Sequence, residues 1–303
     1  MVRSLKEMVE KARQSGKKRL AVAAANELEV LRAVEEARKE NLIDGILIGD
    51  SLEIERTCKK EGFNPDDYLI MENSDPKEAA LECCRMIRKD DADFMMKGAI
   101  KTGDFMRAIL DKEDGLTTVG LLSHVAVFEI PGFNRLLFIT DAAINIAPTL
   151  SEKVKIIENA VSIARNIGYH NPKVACLAAV EVVNPDKMPD TVDSAALSIM
   201  AARGQIKKCV IDGPLALDVA ISENAAQTKG LNSEAAGKAD ILVTPEIVCA
   251  NVLYKSLTYL AGAKPAAIVT GTIAPVVLTS RADDHSTKFL SIAMGAAGVK
   301  KNN

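Results

Sequence analysis

The sequence predicts an α/β fold with mostly parallel sheets, arranged as two halves on either side of a hairpin. Short apolar runs alternate with stretches of helical periodicity, and buried parallel strands are commonly short and apolar on both faces. Near the middle, two apolar runs stand close together around Pro131 and Gly132, which are residues typical of a turn. A chain of 303 residues is long enough for one large or two medium domains.

The first alternating series fills the amino-terminal part of the chain. Its predicted strands are the runs LAVAAA, GILIG, YLIME and DFMMKG. Its predicted helices lie at about residues 5–13, 27–40, 76–88 and 102–110. Helices placed between parallel strands cover the faces of the sheet, so this alternation indicates an α/β arrangement.

The middle of the chain predicts an antiparallel pair of strands, VGLLSHVAVFEI and RLLFITD, before a second alternating series. The strands of that series are KVACLAA, CVIDGP, DILVTP and AAIVTGT. Its helices lie at about residues 150–167, 191–202 and 246–261. The chain contains no internal repeat and no long polar linker.

The carboxyl-terminal segment predicts a strand, a loop and a closing helix. Asp283 or Asp284, together with Ser286, is suited to cap a helix whose apolar positions face the core. Ser280 and Arg281 then fall in the loop that joins the strand to this helix. Loops at the carboxyl ends of strands are where α/β proteins place their chemistry.

Charge and composition exclude several classes of partner and site. With 38 basic and 41 acidic residues the formal net charge is -3, so no basic footprint predicts binding to nucleic acid or to an anionic membrane. No segment has the length and apolarity of a membrane span, and the amino terminus lacks the apolar stretch of a signal peptide, which predicts a cytoplasmic protein. The six cysteines lack the spacing of a zinc site or a disulfide framework, so we expect reduced thiols and no metal site.

Common cofactor and nucleophile motifs are absent from the sequence. The chain has no G-x-G-x-x-G, no Walker A loop, no G-x-S-x-G elbow and no H-E-x-x-H. Standard nicotinamide binding, P-loop phosphoryl transfer and triad hydrolysis therefore lose support.

The densest cluster of chemical groups is LTSRADDHS, from Leu278 to Ser286. Arg281 offers a planar fork of donors that suits phosphate, and amides at the start of the following helix add to anion binding. A carboxylate beside it, Asp283 or Asp284, is a candidate proton acceptor. The alternative interpretation is a helix cap with a surface ion pair, and the arginine would also lower the pKa of a neighbouring carboxylate and weaken it as a base.

Other candidate binding residues interrupt apolar runs or begin helices. Gly98 would let the backbone approach a ligand while Lys97 supplies charge, although a plain strand-to-helix connection has the same pattern. Ser123 and His124 interrupt an apolar run, as residues of a site or of an edge strand do. Arg135 is a second candidate anion contact, and its alternative interpretation is a solvated strand edge.

One helix carries a group of neighbouring polar residues. Asn251 and Tyr254 are three residues apart and share a helix face, with Lys255 beside them. A solvent-exposed helix face is the alternative interpretation of this group.

On these residues the chain resembles the phosphate acetyltransferase and phosphate butyryltransferase family, and particularly its butyryl branch. The motifs that carry the resemblance are KGAIKT, RLLFITDAAINIAPT, DGPLALDVAI, the pattern NS..AGKAD....P.....N..YK from Asn232 to Lys255, and LTSR. They keep a compatible order and spacing over essentially the whole chain, which is far more specific than any single motif.

The resemblance implies a two-domain, three-layer α/β sandwich similar to isocitrate and isopropylmalate dehydrogenases. We expect residues 1–127 plus 269–303 to form the first domain and residues 128–268 the second, with the active site in the interdomain cleft. The implied reaction exchanges phosphate and coenzyme A on a short-chain acyl group, with butyryl-CoA and phosphate giving butyryl phosphate and coenzyme A by direct transfer in a ternary complex. Coenzyme A and phosphate are substrates in this reaction, so we expect no cofactor. The resemblance also implies a homo-oligomer, because family members are at least dimers.

The resemblance also implies roles for individual residues. Ser280 and Arg281 match a Ser-Arg motif that holds phosphate and stabilises the developing oxyanion, and Tyr254 and Lys255 match a pair near the phosphate pocket. The other implied substrate contacts are Lys97, Gly98, Thr102, Ser123, Arg135, Asn251 and Gly271.

The catalytic aspartate of the family has no direct counterpart. In acetyl-transferring relatives it lies where Thr287 stands in this sequence. Either Asp283 or Asp284 takes the role, with Asp284 preferred, or this branch needs no strong base.

Two other functions and several acyl groups remain open at this point. A metal- and NAD(P)-dependent hydroxyacid dehydrogenase of the same fold would need metal-binding aspartates, for which Asp212, Asp218 and Asp240 are available. An acyl-CoA-binding sensor would bind its ligand without turnover. Acetyl, propionyl and branched acyl groups stay open beside butyryl, since Ala274 and Ala282 suit either a longer chain or simple packing.

Overall fold

A computed structural model describes residues 1–117, 120–280 and 283–299. It divides into two compact units, which we describe separately. The terminal unit comprises Leu5–Gly120 and Ala266–Asn303, and the central unit comprises Met1–Ser4 and Leu121–Pro265. The expected division into 1–127 plus 269–303 and 128–268, with an active site in a cleft between the two parts, stays a prediction.

Helices and strands alternate along most of the described chain, as the apolar runs predicted. The helices are α1 (Leu5–Gln14), α2 (Leu28–Lys39), α3 (Ser51–Glu61), α4 (Pro76–Arg88), α5 (Thr102–Ile109), α6 (Leu150–Ile167), α7 (Asp190–Ala202), α8 (Leu217–Ile221), α9 (Glu223–Thr228), α10 (Ile247–Tyr259) and α11 (His285–Gly298). The strands are β1 (Lys18–Ala23), β2 (Ile43–Gly49), β3 (Leu69–Glu72), β4 (Phe94–Lys97), β5 (Ser123–Glu129), β6 (Leu137–Thr140), β7 (Lys173–Leu177), β8 (Val210–Leu215), β9 (Ile241–Val243), β10 (Lys264–Thr270) and β11 (Val276–Val277). The mixed α/β fold with mostly parallel pairing is confirmed.

The sheet of the terminal unit has the strand order β3-β2-β1-β4-β11-β10. Its neighbours pair in parallel, except that β10 runs antiparallel to β11. Ala23 pairs with Lys97, and Val277 pairs with Met96. The carboxyl ends of β1, β4 and β11 therefore meet at one edge, where a parallel sheet presents its loops to a ligand.

The core of the terminal unit is formed by strands that are buried on both faces and by α11. The last four residues of β1 are buried, which matches the apolar run from which this strand was predicted. Helix α11 is apolar over most of its surface and packs on α1 and α2. At Gly295 a Cβ atom would lie 2.8 Å from the ring of Phe94, so glycine permits this close packing of α11 on β4.

The sheet of the central unit has the strand order β5-β6-β9-β7-β8. Strands β5 and β6 form the predicted antiparallel pair, with Ala126 opposite Ile139, and the other neighbours pair in parallel. Because β5 runs opposite to β6, the amino end of β5 lies beside the carboxyl ends of β6 and β9. Residues that begin β5 and residues that follow β6 and β9 are thus brought together.

Some helices escaped prediction because their apolar positions are sparse. Helix α3 buries only Ile54 and Cys58 among its residues, all of which the structure describes. Its ends are nevertheless typical, since Asp50 accepts a hydrogen bond from the Glu53 N–H and Gly62 adopts a left-handed conformation with φ of 77°. Across the described ranges, none of the helices combines the length and apolarity that crossing a membrane requires.

Candidate active site

The Ser280 loop, defined as residues 278–284, joins β11 to α11 at the carboxyl edge of the terminal sheet. Arg281 and Ala282 lie outside the described residues. Ser280 is exposed, and its N–H donates to Asp283 Oδ2 over 2.7 Å. The Asp283 N–H donates back to the Ser280 carbonyl oxygen over 3.2 Å. The two described residues that flank the Arg281 position in the chain are therefore bonded to each other in both directions.

Asp284 is the amino-terminal cap of α11, as one interpretation of the sequence predicted. Its Oδ1 accepts a hydrogen bond from the Thr287 N–H over 2.8 Å. This bond is the main reason why the pKa of the Asp284 carboxyl is lowered. A carboxylate that is engaged at a helix terminus and has a lowered pKa is a weak base, and the base role of Asp283 or Asp284 stays a prediction.

Lys97 and Gly98 lie at the same edge of the terminal sheet as the Ser280 loop, because β4 and β11 are parallel neighbours. Lys97 is 3% exposed, and its Nζ donates to the Gly98 carbonyl oxygen over 3.1 Å. A Cβ atom at Gly98 would lie 2.2 Å from the Ala24 carbonyl oxygen, so this position requires glycine. Thr102 is the first residue of α5 and is exposed.

Gly271 does not join this group. It follows β10, which runs antiparallel to β11, and it has a φ of 90°. It therefore lies near the amino end of β11, whereas Ser280 follows the carboxyl end. A Cβ atom at Gly120 would lie 2.7 Å from the Gly271 carbonyl oxygen, which indicates a packing role for this turn.

Ser123 and His124 begin β5 at the carboxyl edge of the central sheet. Ser123 is fully buried, and its Oγ accepts a hydrogen bond from Asn159 Nδ2 over 2.9 Å. The His124 carbonyl oxygen accepts a bond from Thr140 Oγ1 over 2.8 Å. The polar interruption in this apolar run thus ties β5 to α6 and to the end of β6.

Asp141 is a residue of this edge that sequence reasoning did not single out, although it lies within one of the family motifs. It is 5% exposed and follows β6 directly. Its carboxylate accepts hydrogen bonds from the N–H groups of Ala143 and Ile144 and from Asn145 Nδ2, over 2.9, 3.0 and 2.6 Å. Asn145 Nδ2 also donates to the Leu122 carbonyl oxygen. An aspartate followed by its own turn signalled this local structure, but not its link to β5.

Asn251 and Tyr254 approach the same edge of the central unit from α10. Asn251 Nδ2 donates to the Ala142 carbonyl oxygen over 3.2 Å, within the turn that follows Asp141. The ring of Tyr254 packs edge-on against Phe128 with centroids 5.0 Å apart. It also lies 6.0 Å from the imidazole of His124.

Lys255, next to Tyr254 on α10, is exposed and lies close to two aromatic rings. Its Nζ lies 5.5 Å from the centroid of the Tyr254 ring and 5.6 Å from that of Tyr259. An exposed ammonium at this place is available to an anionic ligand. The structure thus brings Asn251 and Tyr254 to the edge where β5 begins, with Lys255 adjoining them. The Ser123 side chain does not join this group, because its partner Asn159 lies on α6.

Arg135 lies apart from that group, at the amino end of β6. Its guanidinium donates to the carbonyl oxygens of Ile221, Gly237 and Ala239, over 3.2, 3.3 and 3.4 Å. It also stacks on the ring of Phe133, 4.5 Å from the centroid. The structure therefore assigns these donors to backbone carbonyls at the sheet edge opposite Asp141.

An apolar cavity of about 580 Å³ lies beside α10 in the central unit. It opens where β7 and β9 end, and its lining includes Leu177, Leu217, Pro245, Val248, Val252 and Leu253. Such a lining suits a hydrocarbon group and not an ion.

Comparison with known proteins decides the family. Residues 72–296 match the family model described as "Phosphate acetyl/butaryl transferase". The chain is 50% identical to the phosphate butyryltransferase of Clostridium acetobutylicum over 98% of both chains. This chain belongs to the phosphate acetyl/butyryl transferase family. The resemblance carried by its motifs is confirmed.

Other members of the phosphate acetyl/butyryl transferase family are similar over comparable lengths. The phosphate acetyltransferase of Thermotoga maritima is 49% identical over 96% of this chain and 98% of its own. Among solved structures, a branched-chain phosphotransacylase from Enterococcus faecalis V583 has a TM-score of 0.81 at 34% identity, covering 93% of this chain and 99% of its own. A phosphotransacetylase from Streptococcus pyogenes has a TM-score of 0.82 at 23% identity, covering 97% of this chain and 98% of its own, which shows a shared fold.

Four cysteines of this family member are buried, Cys209 is half-buried and Cys249 is exposed, and the pKa of each thiol is raised. Burial is the largest cause in each case, and it raises the pKa of all six, every one of which the structure describes. The pKa of Cys84 and of Cys176 is raised to about 12, and that of Cys209 to about 11. Nucleophilic cysteines need the opposite shift, because the thiolate is the reactive form.

The described ranges of this family member contain no group of three or more His, Cys, Asp or Glu side chains that could hold a metal ion. The aspartates named for a dehydrogenase have other partners. The Asp240 carboxylate accepts a bond from the Lys173 N–H over 2.9 Å, and Asp218 lies 3.6 Å from Lys229 Nζ. Asp212 accepts a bond from the Gly213 N–H.

Proposed function

We propose that this protein transfers a short-chain acyl group between coenzyme A and inorganic phosphate, with butyryl as the preferred group. The observation that carries the proposal is the 50% identity to a phosphate butyryltransferase over nearly the full length of both chains. A second phosphate butyryltransferase, from Clostridium beijerinckii, is 47% identical over the whole of both chains. Acetyl and branched acyl groups are the alternatives, because relatives with those specificities in their names are also similar.

In the proposed reaction a phosphate oxygen attacks the thioester carbonyl carbon. The new C–O bond forms first and leaves an oxyanion on the former carbonyl. The C–S bond then breaks, and coenzyme A leaves as a thiolate that takes up, through water, the proton that hydrogen phosphate gives up. Arg281 would hold the phosphate, while Ser280 and nearby amides stabilise the oxyanion on the thioester carbonyl. Gly98 and the start of α5 at Thr102 lie at the same sheet edge as Ser280 and would complete the anion-binding surface of the terminal unit. Lys97 would add positive charge from its buried position beneath this edge.

No strong protein base is required in this direction, because phosphate is already an anion at neutral pH. The carboxylate of Asp284 caps α11, and that of Asp283 accepts the Ser280 N–H. We therefore propose that both carboxylates chiefly hold the Ser280 loop in place. In the reverse direction they are the predicted acceptors for the proton of the coenzyme A thiol.

Direct transfer between two bound substrates fits the chemistry of the side chains. With the pKa of all six thiols raised by burial, a cysteine acyl-enzyme would start from a protonated nucleophile. Orientation of the two substrates would then supply most of the rate.

The experiment that tests the function is a panel of acyl-CoA substrates with inorganic phosphate. We expect phosphate-dependent release of free thiol, read with a thiol reagent, without added metal or nicotinamide and fastest with butyryl-CoA. Absence of thiol release at every chain length overturns the proposal. Tight acyl-CoA binding without turnover would indicate the sensor, and a nicotinamide absorbance change that needs a divalent metal would indicate the dehydrogenase.

We also propose that the fold is the two-domain, three-layer type of isocitrate and isopropylmalate dehydrogenases. The support is limited to fold similarity. Two 4-hydroxythreonine-4-phosphate dehydrogenases, from Klebsiella pneumoniae and Salmonella typhimurium, give TM-scores of 0.56 and 0.58 at 13% identity.

A cytoplasmic homo-oligomer completes the proposal, and α10 supports the oligomer. Of the thirteen residues of α10, all described, only Ala250 is buried, although the helix carries a single charged residue, Lys255. Val248 and Val252 are 58% and 59% exposed. A helix that is apolar on most sides is normally covered, so we propose that a second copy of the chain covers it.

A further inference from the structure

A buried lysine lies beneath the Ser280 loop. Lys288, in the second turn of α11, is 1% exposed. Its Nζ donates to the Asp283 carbonyl oxygen over 2.5 Å and to the Ser280 carbonyl oxygen over 3.3 Å. Glu27 Oε1 lies 3.5 Å from the same nitrogen. An ammonium has three N–H donors, so these partners match its full capacity.

The two carbonyl partners of Lys288 stand on either side of Arg281 and Ala282 in the chain. Burying an ammonium is costly unless it is paired, and here Glu27 and the two carbonyl oxygens supply the partners. The first residue of α11, directly after the loop, is also tied to α2, because the His285 N–H donates to Glu29 Oε2 over 3.0 Å. With Glu27 just before α2, the start of that helix provides two carboxylates that contact the first residues of α11, next to the loop.

We propose that Lys288 is a positioning residue for phosphate, an inference that rests on the proposed function. The ammonium holds the carbonyl oxygens of Ser280 and Asp283, and so fixes the described part of the loop that carries the proposed phosphate contact. A contact that is ordered before phosphate arrives loses less conformational entropy on binding. Glu27 balances the buried charge, so Glu27 and Lys288 work as a pair.

Loss of the Lys288 contacts should affect the use of one of the two substrates more than that of the other. The Ser280 loop carries the proposed phosphate contact, so loosening it should weaken phosphate use more than butyryl-CoA use. A change that destabilises the whole protein would instead lower the amount of active enzyme and leave both KM values unchanged.

The test compares wild type, Lys288→Met and Lys288→Arg in steady-state thiol release with inorganic phosphate and butyryl-CoA varied in turn. Methionine keeps the length and apolar stem of the side chain and removes the donors. We expect Lys288→Met to raise the KM for phosphate about tenfold to a hundredfold, as loss of charged hydrogen bonds does, with the KM for butyryl-CoA within about threefold. Lys288→Arg should recover part of the loss, because its guanidinium also donates.

Lys153→Met is the matched control. Lys153 is 6% exposed and pairs with Asp193 over 2.7 Å in the central unit, so it is also a buried, paired lysine. We expect this variant to lower thermal stability without changing the KM for phosphate. Equal changes of phosphate KM in both variants overturn the inference, since they would reflect a general structural effect.

The outcomes separate this inference from the proposed function. Wild-type protein that releases no thiol with phosphate contradicts the function itself. Active wild type together with an unchanged phosphate KM in Lys288→Met contradicts only the role of Lys288. If Lys288→Met does not fold, Glu27→Gln serves instead, since it leaves the ammonium without its charge partner. An increase of about threefold in phosphate KM then supports the pair, and no increase contradicts it.

Discussion

Two arginines are predicted anion contacts, Arg281 as the catalytic phosphate contact and Arg135 as a further substrate contact, and the structure describes Arg135. Arg135 donates to three backbone carbonyl oxygens of the central unit, so its donors are already engaged. Arg281 lies outside the described residues and directly follows Ser280 in the chain. At the scale of residues, Arg135 is a structural clamp and Arg281 is the proposed phosphate contact.

Replacing each arginine with alanine should separate these roles. Arg281→Ala should reduce kcat/KM for phosphate by roughly 2–5 kcal/mol of transition-state stabilisation, as loss of a charged contact does, with little change in stability. Arg135→Ala should lower the free energy of unfolding by about 1–3 kcal/mol, because carbonyl oxygens lose their donors, and leave phosphate kinetics close to wild type. Steady-state kinetics and urea unfolding of both variants check this. The reverse pattern would exchange the two assignments.

Glu35 gives the protein a predictable dependence on acid. It is 4% exposed, and its carboxylate accepts hydrogen bonds from Tyr68 Oη over 2.5 Å and Arg38 Nε over 2.8 Å. Burial acts to raise its pKa, but hydrogen bonds from Arg38, Tyr68 and Lys39 outweigh burial and lower the pKa to about 2. A carboxyl whose pKa falls on folding stabilises the protein above its unfolded pKa and loses that contribution as the pH falls through the folded pKa.

The free energy of unfolding should therefore fall between pH 4.5, the ordinary value for glutamate, and about pH 2. Glu35→Gln has no charge to lose at this position, so its stability should fall less steeply over the same interval. Urea unfolding at a series of pH values measures both slopes. Equal slopes for the two proteins would show that Glu35 does not contribute to the acid dependence.

At the scale of elements, the start of α11 carries both the cap of the helix and a lysine that contacts the Ser280 loop. Asp284 caps the helix, and Lys288 one turn later contacts the loop from below. The two roles of a carboxylate respond differently to substitution by asparagine. A helix cap keeps its hydrogen bond when aspartate becomes asparagine, whereas a general base loses its proton acceptor.

Two substitutions at Asp284 distinguish these possibilities. Asp284→Ala should cost about 0.5–2 kcal/mol of stability through loss of the cap, whereas Asp284→Asn should keep it. We expect Asp284→Asn to keep turnover within about threefold, because the lowered pKa of this carboxyl makes it a weak base. Thermal melts and thiol-release rates provide the comparison. A hundredfold loss of turnover at unchanged stability would establish Asp284 as the base.

Local sequence patterns predicted most helices and strands, but they did not predict contacts between residues that are far apart in the chain. The turn at Pro131 and Gly132 and the cap at Asp284 depend on neighbours in the chain, so their residue types predicted them correctly. The carbonyl partners of Arg135 lie about a hundred residues away, at Ile221, Gly237 and Ala239, and no local pattern reveals them.

Lys288 shows the same limit within the candidate site. The residues around it in the sequence do not show that this lysine is buried. Its ion-pair partner, Glu27, lies near the other end of the chain. Only the folded terminal unit brings the two together. The family motifs located the Ser280 loop from sequence, but the groups that hold the loop depend on tertiary structure.

At the scale of the whole molecule, the apolar surface of α10 predicts self-association. Val252→Asp places a charge on this surface, where Val252 is 59% exposed, and should dissociate the oligomer because an unpaired charge is costly at an apolar interface. Leu52→Asp is the matched control, since Leu52 is 77% exposed on α3 in the terminal unit. Sedimentation at several protein concentrations reports the mass. A wild-type monomer, or an oligomer that Val252→Asp leaves intact, would show that no second copy covers α10.

The central claim is that the acyl group passes directly from coenzyme A to phosphate without being carried by the protein. Intact-protein mass spectrometry after incubation with butyryl-CoA, first without phosphate and then during turnover, tests it most directly. We predict an unmodified protein mass in both samples while thiol is released in the second. A mass increased by one butyryl group, formed without phosphate and discharged when phosphate is added, would contradict direct transfer.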